Sequence, residues 1–405
     1  MHRDEVFVAG GQPTVTYIER EDHDVERMLA RALAAPNQII SLAGPTKTGK
    51  TVLCKKVLNE RNYVWVDGGK IKTVAEFWEI VCSELNIPFE NSVTTGGETE
   101  VKLEGSIPFF TTAGGSHLST KSSTNIFKPD SMGKSLEFMT AEKIVLVIDD
   151  FHYIAPDVRT DIMRNVKGAV FNGLKVLLLS VTHRVFDAIK AESELTGRFT
   201  TVTLPHWNKR DLQQIPNKGF AALNVNCPAD LIDELCEEAQ ENPFLMQKFC
   251  WEICFDNNIE AKKIFSQSIL KPDLNKMCEN LAIDYGLPTY QQLVAGPQSR
   301  KIREKRPLKS GGEVDIYEVV LLAIAQTGPK SVIKYDELRN EISNLLSDKM
   351  PQKHEITAAL KHLTRISKEV GAESAIDWNE QAREIAVIDP YLRFYLKWQV
   401  RNKTH

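Results

Sequence analysis

What the sequence lacks narrows it first. Nowhere in its 405 residues do about 18 apolar residues follow one another, so no membrane-spanning helix is expected. His2, Arg3, Asp4 and Glu5 precede any apolar run, so no export signal is expected either, and the protein is read as cytoplasmic. Cysteine is scarce: the seven residues Cys54, Cys82, Cys227, Cys236, Cys250, Cys254 and Cys278 form no CxxC pair. An odd, scattered set suits a reducing compartment and argues against a disulfide framework or a zinc site. Cys250 and Cys254 lie one helical turn apart beside Phe249 and Trp251; buried thiols are the plain reading, a metal or redox pair the alternative. No charge sign dominates, since 50 Lys and Arg face 54 Asp and Glu for a net −4. That excludes a globally basic nucleic-acid coat and leaves only local patches for such contacts. With 42% hydrophobic and 26% charged residues, the chain reads as globular and long enough for two or three cores.

What is present is concentrated in Gly44, Pro45, Thr46, Lys47, Thr48, Gly49, Lys50 and Thr51, a GxxxxGK[ST] loop directly after the apolar run Ile39 to Ala43. Glycines at this spacing let backbone N–H groups close around a polyphosphate, Lys50 reaches the outer phosphates, and the Thr51 hydroxyl can ligate Mg²⁺. A helix starting near Lys50 aims its positive dipole end at the same anion. A nucleotide polyphosphate and Mg²⁺ are therefore the expected ligands.

A hundred residues on, Ile144 to Ile148 reads as a buried parallel strand, and Asp149 and Asp150 fall at its carboxyl end. This is a Walker B pattern. Asp149 would hold the Thr51-bound metal through water, and Asp150 stands where a water-orienting carboxylate is needed. His152, just beyond, reads as a loop residue rather than a catalyst. Tyr63 to Asp67 and Leu174 to Val181 read as further strands, with helices over Val74 to Leu85 and Asp157 to Val166, giving an α/β parallel-sheet nucleotide domain. Arg184 follows the last of these strands and is a candidate γ-phosphate sensor. Residues 92 to 127 are rich in Gly, Ser and Thr with an apolar tip at Ile107 to Phe110, an insertion that is either disordered or a hairpin with a partner.

These parts, in this order, resemble the AAA+ and STAND branch of P-loop ATPases, particularly the origin-recognition and Tn7-type transposition-regulator ATPases, over about residues 15 to 257. The resemblance implies ATP as the nucleotide and an adenine-facing entry segment at Tyr17, Ile18 and Arg20, with Glu19 where the family has glycine. It implies an arginine finger at Arg198, before Leu204, Pro205 and Trp207, acting in a homo-oligomer; the bland alternative is a strand-capping arginine. In the lid, Asn242 and Pro243 are similar to the family's Gly-Asn-Pro turn that sets a proline against the base. Here Glu241 replaces the glycine, and no arginine follows at the second-sensor place. That departure points to a STAND-like lid and slow ATP hydrolysis.

The expected domains are an ATPase domain over residues 1 to 206, a helical lid over 207 to 295, a basic linker over 296 to 312 and a winged-helix domain over 313 to 405. The linker carries Arg300, Lys301, Arg303, Lys305, Arg306 and Lys309 against Glu304, so it is either a solvated connector or a contact for DNA phosphates. The third helix of the last domain, Gln352 to Lys368, has Ile356, Ala359, Leu360, Leu363 and Ile366 on one face and His354, Lys361, Arg365 and Lys368 on the other, the layout of a recognition helix. Residues 313 to 405 nevertheless hold 13 Lys and Arg against 14 Asp and Glu. The module reads as docking DNA or a protein effector, and two uses follow: a DNA-associated switch, or a STAND-type sensor in anti-phage defence.

Overall fold

The computed structural model describes residues 1–20, 24–59, 61–88, 131–181, 198–298, 302–328, 330–370 and 374–401. The insertion at 92 to 127, the sensor candidate Arg184 and the linker cations Arg300 and Lys301 lie outside them.

In chain order the helices are α1 (Arg3–Val6), α2 (Val25–Ala34), α3 (Lys50–Leu58), α4 (Val74–Glu84), α5 (Ser131–Ala141), α6 (Pro156–Phe171), α7 (Lys209–Ala222), α8 (Ala229–Ala239), α9 (Pro243–Asp256), α10 (Leu274–Ala295), α11 (Ile316–Gln326), α12 (Tyr335–Leu345), α13 (Lys353–Val370) and α14 (Pro390–Tyr395). The strands used below are β1 (Ile39–Ala43), β2 (Tyr63–Asp67), β3 (Val145–Asp149), β4 (Lys175–Ser180), β5 (Phe199–Thr203), β6 (Val332–Lys334), β7 (Ile376–Asn379) and β8 (Glu384–Val387). Two compact units result: Met1–Arg27, Ala43–Lys56 and Thr203–His405 form the first, Met28–Leu42 and Val57–Val202 the second.

The second unit is built on a five-stranded sheet in the order β2-β3-β4-β1-β5. Position in the sheet explains the sequence of each strand. Central β1 is buried along its whole length and β3 and β4 nearly so, as apolar runs covered on both faces must be. Edge strand β2 alternates, with Val64 and Val66 buried between more exposed neighbours. β2, β3 and β4 run parallel, with Asp67 opposite Asp149 in register. Helices α4, α5 and α6 cover one face through Phe77, Trp78, Val81, Met139, Ile162 and Met163. A capping box fixes the start of α4, where Thr73 Oγ1 accepts from the Glu76 amide and Glu76 answers to the Thr73 amide, both at 3.2 Å.

The first unit has one continuous hydrophobic core, running from Phe7 through Phe220, Phe249 and Leu281 to Val320, Leu360 and Phe394. Two glycines allow the closest approaches. A Cβ on Gly219 of α7 would lie 2.2 Å from the Phe7 ring, and one on Gly286 of α10 would lie 2.3 Å from Tyr395 Cβ. The C-terminal stretch adds α11, β6, α12, α13, β7 and β8, with the three strands ordered β6-β8-β7 and both pairings antiparallel. The α13 stripe is buried as its periodicity demands: Ile356, Leu360 and Leu363 are fully enclosed and Ala359 and Ile366 nearly so. Asn379 closes the β7–β8 turn by accepting from the Gln381 and Ala382 amides at 3.1 and 3.0 Å. β6 has no counterpart in the sequence reading, because a three-residue strand running straight into α12 offers too little alternation to be seen.

Candidate functional site

The loop after β1 has the backbone that anion binding requires. Lys47 and Gly49 adopt φ values of 60° and 96°, left-handed turns of the kind found in anion-binding concavities. Gly44 is needed for a second reason, since a Cβ there would fall 2.8 Å from both Cβ and the carbonyl oxygen of Leu204. α3 begins at Lys50, whose ammonium folds back to donate to the carbonyls of Gly44 and Pro45 at 3.1 and 2.9 Å. Thr48 Oγ1 also donates to Pro45 O at 2.7 Å. Thr46 Oγ1 is buried with no hydrogen-bond partner, a polar atom that a phosphate oxygen would satisfy. Together with the Thr51 hydroxyl on the first turn of α3, these residues fit a polyphosphate with a hard cation.

Of the other expected nucleotide residues of the first unit, Arg20 reaches this loop through Trp207. Arg20 donates to Pro205 O at 2.8 Å and lies 5.0 Å from the Trp207 ring, whose Nε1 donates to Thr48 O at 2.9 Å. Burial holds the Arg20 guanidinium below its ordinary pKa, against the opposing field of Asp211. Ile18 is buried, and Tyr17 OH donates to Glu26 Oε1 at 2.6 Å, with burial first and Glu26 second in raising its pKa. Lys56 of α3 lies 5.5 Å from the Tyr17 ring.

Pro243 is the first residue of α9. Asn242 caps that helix by accepting from the amides of Phe244 and Leu245 at 2.8 and 3.4 Å. Gln240 and Glu241 before it take φ values of 50° and 63°, the region glycine enters without strain. Glycine, expected at Glu241's place from the resemblance, would take this conformation freely. Glu241 instead uses its carboxylate, 3.0 Å from His206 Nδ1 and facing Arg393.

In the second unit Asp149 and Asp150 stand half-buried at the end of β3. Asp150 adopts φ 50°, and its amide donates to Asp149 Oδ1 at 3.0 Å. Sequence reasoning missed the residue that seats them: a Cβ on Gly68 would lie 2.6 Å from Asp150 O and 2.8 Å from Asp149 O. Arg198 stacks over the Phe171 ring at 4.0 Å.

The cations expected to meet DNA are largely engaged within the protein. Arg303 donates to Asp315 Oδ2 and Pro297 O, each at 2.8 Å. Arg306, 4% exposed, donates to Glu355 Oε1 at 2.7 Å. Lys309 donates to Ser343 O at 3.0 Å. On α13, Lys361 pairs with Glu380 at 2.9 Å and Lys368 with Asp377 at 3.5 Å. Among the described residues no cluster of His, Cys, Asp and Glu is arranged to hold a metal, and no helix is long and apolar enough to cross a membrane.

No protein-family model and no curated protein matches the sequence. Solved structures do resemble the fold. The Walker-type ATPase PABY2304 of Pyrococcus abyssi aligns with 95% of this chain and 99% of its own, at a TM-score of 0.54 and 14% identity. The Aeropyrum pernix ORC2 protein, solved in ADPNP and ADP complexes, aligns with 99% of this chain and 97% of its own, at 0.52 and 13%. At such identities the likeness establishes the fold, that of an α/β P-loop ATPase.

Proposed function

We propose that the protein is a slow Mg-ATP-dependent molecular switch whose nucleotide state governs homo-oligomer assembly and engagement of DNA or a protein partner. One observation carries this reading: a GxxxxGK[ST] loop with left-handed turns at Lys47 and Gly49, an orphaned Thr46 hydroxyl and Lys50 at the head of α3. The ORC2 neighbour's ADPNP and ADP complexes support the choice of nucleotide. Loop amides and Lys50 would bind the phosphates, Thr51 and Asp149 would hold Mg²⁺, and Asp150 would orient the attacking water. When bound, Mg²⁺ supplies neutralisation of phosphate charge. Tyr17, Ile18, Arg20 and Pro243 are assigned to the adenine side, Arg184 to sensing the γ-phosphate, and Arg198 to a neighbouring subunit's site. The C-terminal α+β module is read as a winged helix.

Turnover and equilibrium binding test the site. Lys50→Ala should abolish hydrolysis and weaken Mg-ATP binding, while Asp150→Asn should lower kcat by at least about 100-fold with little change in affinity. Normal turnover by the Lys50 variant would sink the assignment.

A second reading is favoured by the engaged cations of the linker and α13. With Arg303, Arg306, Lys361 and Lys368 all ion-paired, the module suits a protein partner, as in a cytoplasmic STAND-type sensor of anti-phage defence.

A further inference from the structure

The phosphate loop is tied to the far end of the chain by one lysine. Lys47 Nζ donates to Asp389 Oδ1 at 3.1 Å and sits 3.5 Å from the centroid of the Tyr391 ring. Neither partner is a loose surface group. Asp389 is the N-cap of α14, the same oxygen accepting from the Tyr391 amide at 3.0 Å, and its side chain is 16% exposed. Tyr391 is wedged against Phe244 at 5.2 Å and Tyr285 at 5.4 Å. Phe244 follows Pro243 at the start of α9. A chain of contacts therefore runs from the loop through α14 to the lid turn.

Lys47 serves two masters. Its backbone, at φ 60°, forms part of the anion-binding turn, while its ammonium is held by a carboxylate and a ring face. A polyphosphate seated on the turn competes with Asp389 for that ammonium, and the carboxylate repels it in proportion to its charge. We propose that Asp389 and Tyr391 are positioning residues of the nucleotide site, acting through Lys47, and that Asp389 biases the site toward nucleoside diphosphate over triphosphate. The C-terminal module thereby contributes to the site's preference, and triphosphate binding draws Lys47 from α14. This rests on the Mg-ATP reading above.

Affinities of the full-length protein for Mg-ATP and Mg-ADP, measured by competition with a fluorescent nucleotide, test it. Asp389→Asn is the informative variant, because asparagine caps a helix as well as aspartate does and only the charge is lost. Mg-ATP should bind about fivefold tighter or more, Mg-ADP by a smaller factor, and the ratio of the two Kd values should change accordingly. Tyr391→Leu should move the ratio in the same direction, and in a Lys47→Met background Asp389→Asn should no longer move it. An unchanged ratio, or equal shifts for both nucleotides, in an Asp389→Asn protein of unaltered melting temperature would overturn the proposal and leave Asp389 a helix cap. Failure of the wild-type protein to bind either nucleotide would overturn the Mg-ATP reading itself, and this inference with it.

Discussion

Gly68 shows how a residue without a side chain can govern a pair of carboxylates. It lies against the backbone carbonyls of Asp149 and Asp150, too close for any Cβ. Gly68→Ala should therefore cost about 1 to 3 kcal/mol in stability by forcing the backbone apart. On the proposed Mg-ATP reading, displacing Asp150 should lower kcat for ATP more than it weakens ATP binding, which thermal melts and steady-state kinetics would check. The role was hidden in the sequence because glycine and aspartates are some eighty residues apart, whereas the phosphate loop was legible from eight contiguous residues. The thiols make a second prediction at this scale. Burial raises Cys236 to about 11 and Cys254 to about 12, and holds Cys250 well above the ordinary thiol range. Thiolate is scarce at neutral pH, so iodoacetamide should label all three only after denaturation, as mass spectrometry would read. Rapid labelling of the folded protein would contradict this.

At the scale of elements, the basic linker changes character once its partners are seen. Arg306 and the first turn of α13 are joined through Glu355, which also accepts from the Gln352 amide at 2.7 Å. Burial pushes the Glu355 carboxyl upward, but the amide and Arg306 outweigh it and hold its pKa below the ordinary 4.5. A depressed carboxylate stabilises the fold fully above its unfolded pKa, and that stability is lost as pH falls through the folded value. Denaturant melts of Glu355→Gln should consequently show a shallower loss of stability below pH 4.5 than the native protein, with a constant difference between the curves above it. A parallel pH dependence would remove Glu355 from this role. The α13 stripe was readable because helical period and burial obey the same geometry. The ion pairs of Lys361 and Lys368 were not, because their acidic partners stand on β7 and its turn, where only folding brings them alongside. Three-residue β6 escaped for want of length.

For the whole molecule, the shared core of the first unit decides which experiments are clean. Removing residues 313 to 405 would strip Val320, Leu360 and Phe394 from a core that also holds Phe249 and Leu281, so a truncation would test folding rather than function. Point changes on the polar face of α13 avoid this. If the module grips DNA, Lys361→Ala and Lys368→Ala should each weaken binding alike across sequences and lower the salt slope by roughly one. On the sensor reading, titrations at low ionic strength should find binding that is undetectable or insensitive to salt in both nucleotide states.

The N-terminal arm carries a consequence for how the protein is made. Met1 O accepts from the Lys262 amide at 3.0 Å, the Arg3 amide donates to Glu260 O at 2.8 Å, and Trp251 Nε1 donates to Asp4 Oδ1 at 2.7 Å. Phe7 lies 5.1 Å from Phe220. Residues 1 to 7 thus have no seat until about 250 further residues have been made, a wait of roughly 13 to 50 s at typical elongation speeds. Throughout that interval Val6 and Phe7, fully enclosed in the finished protein, stay in solvent and open to chaperones, while every strand of the second unit's sheet can emerge and pair ahead of them.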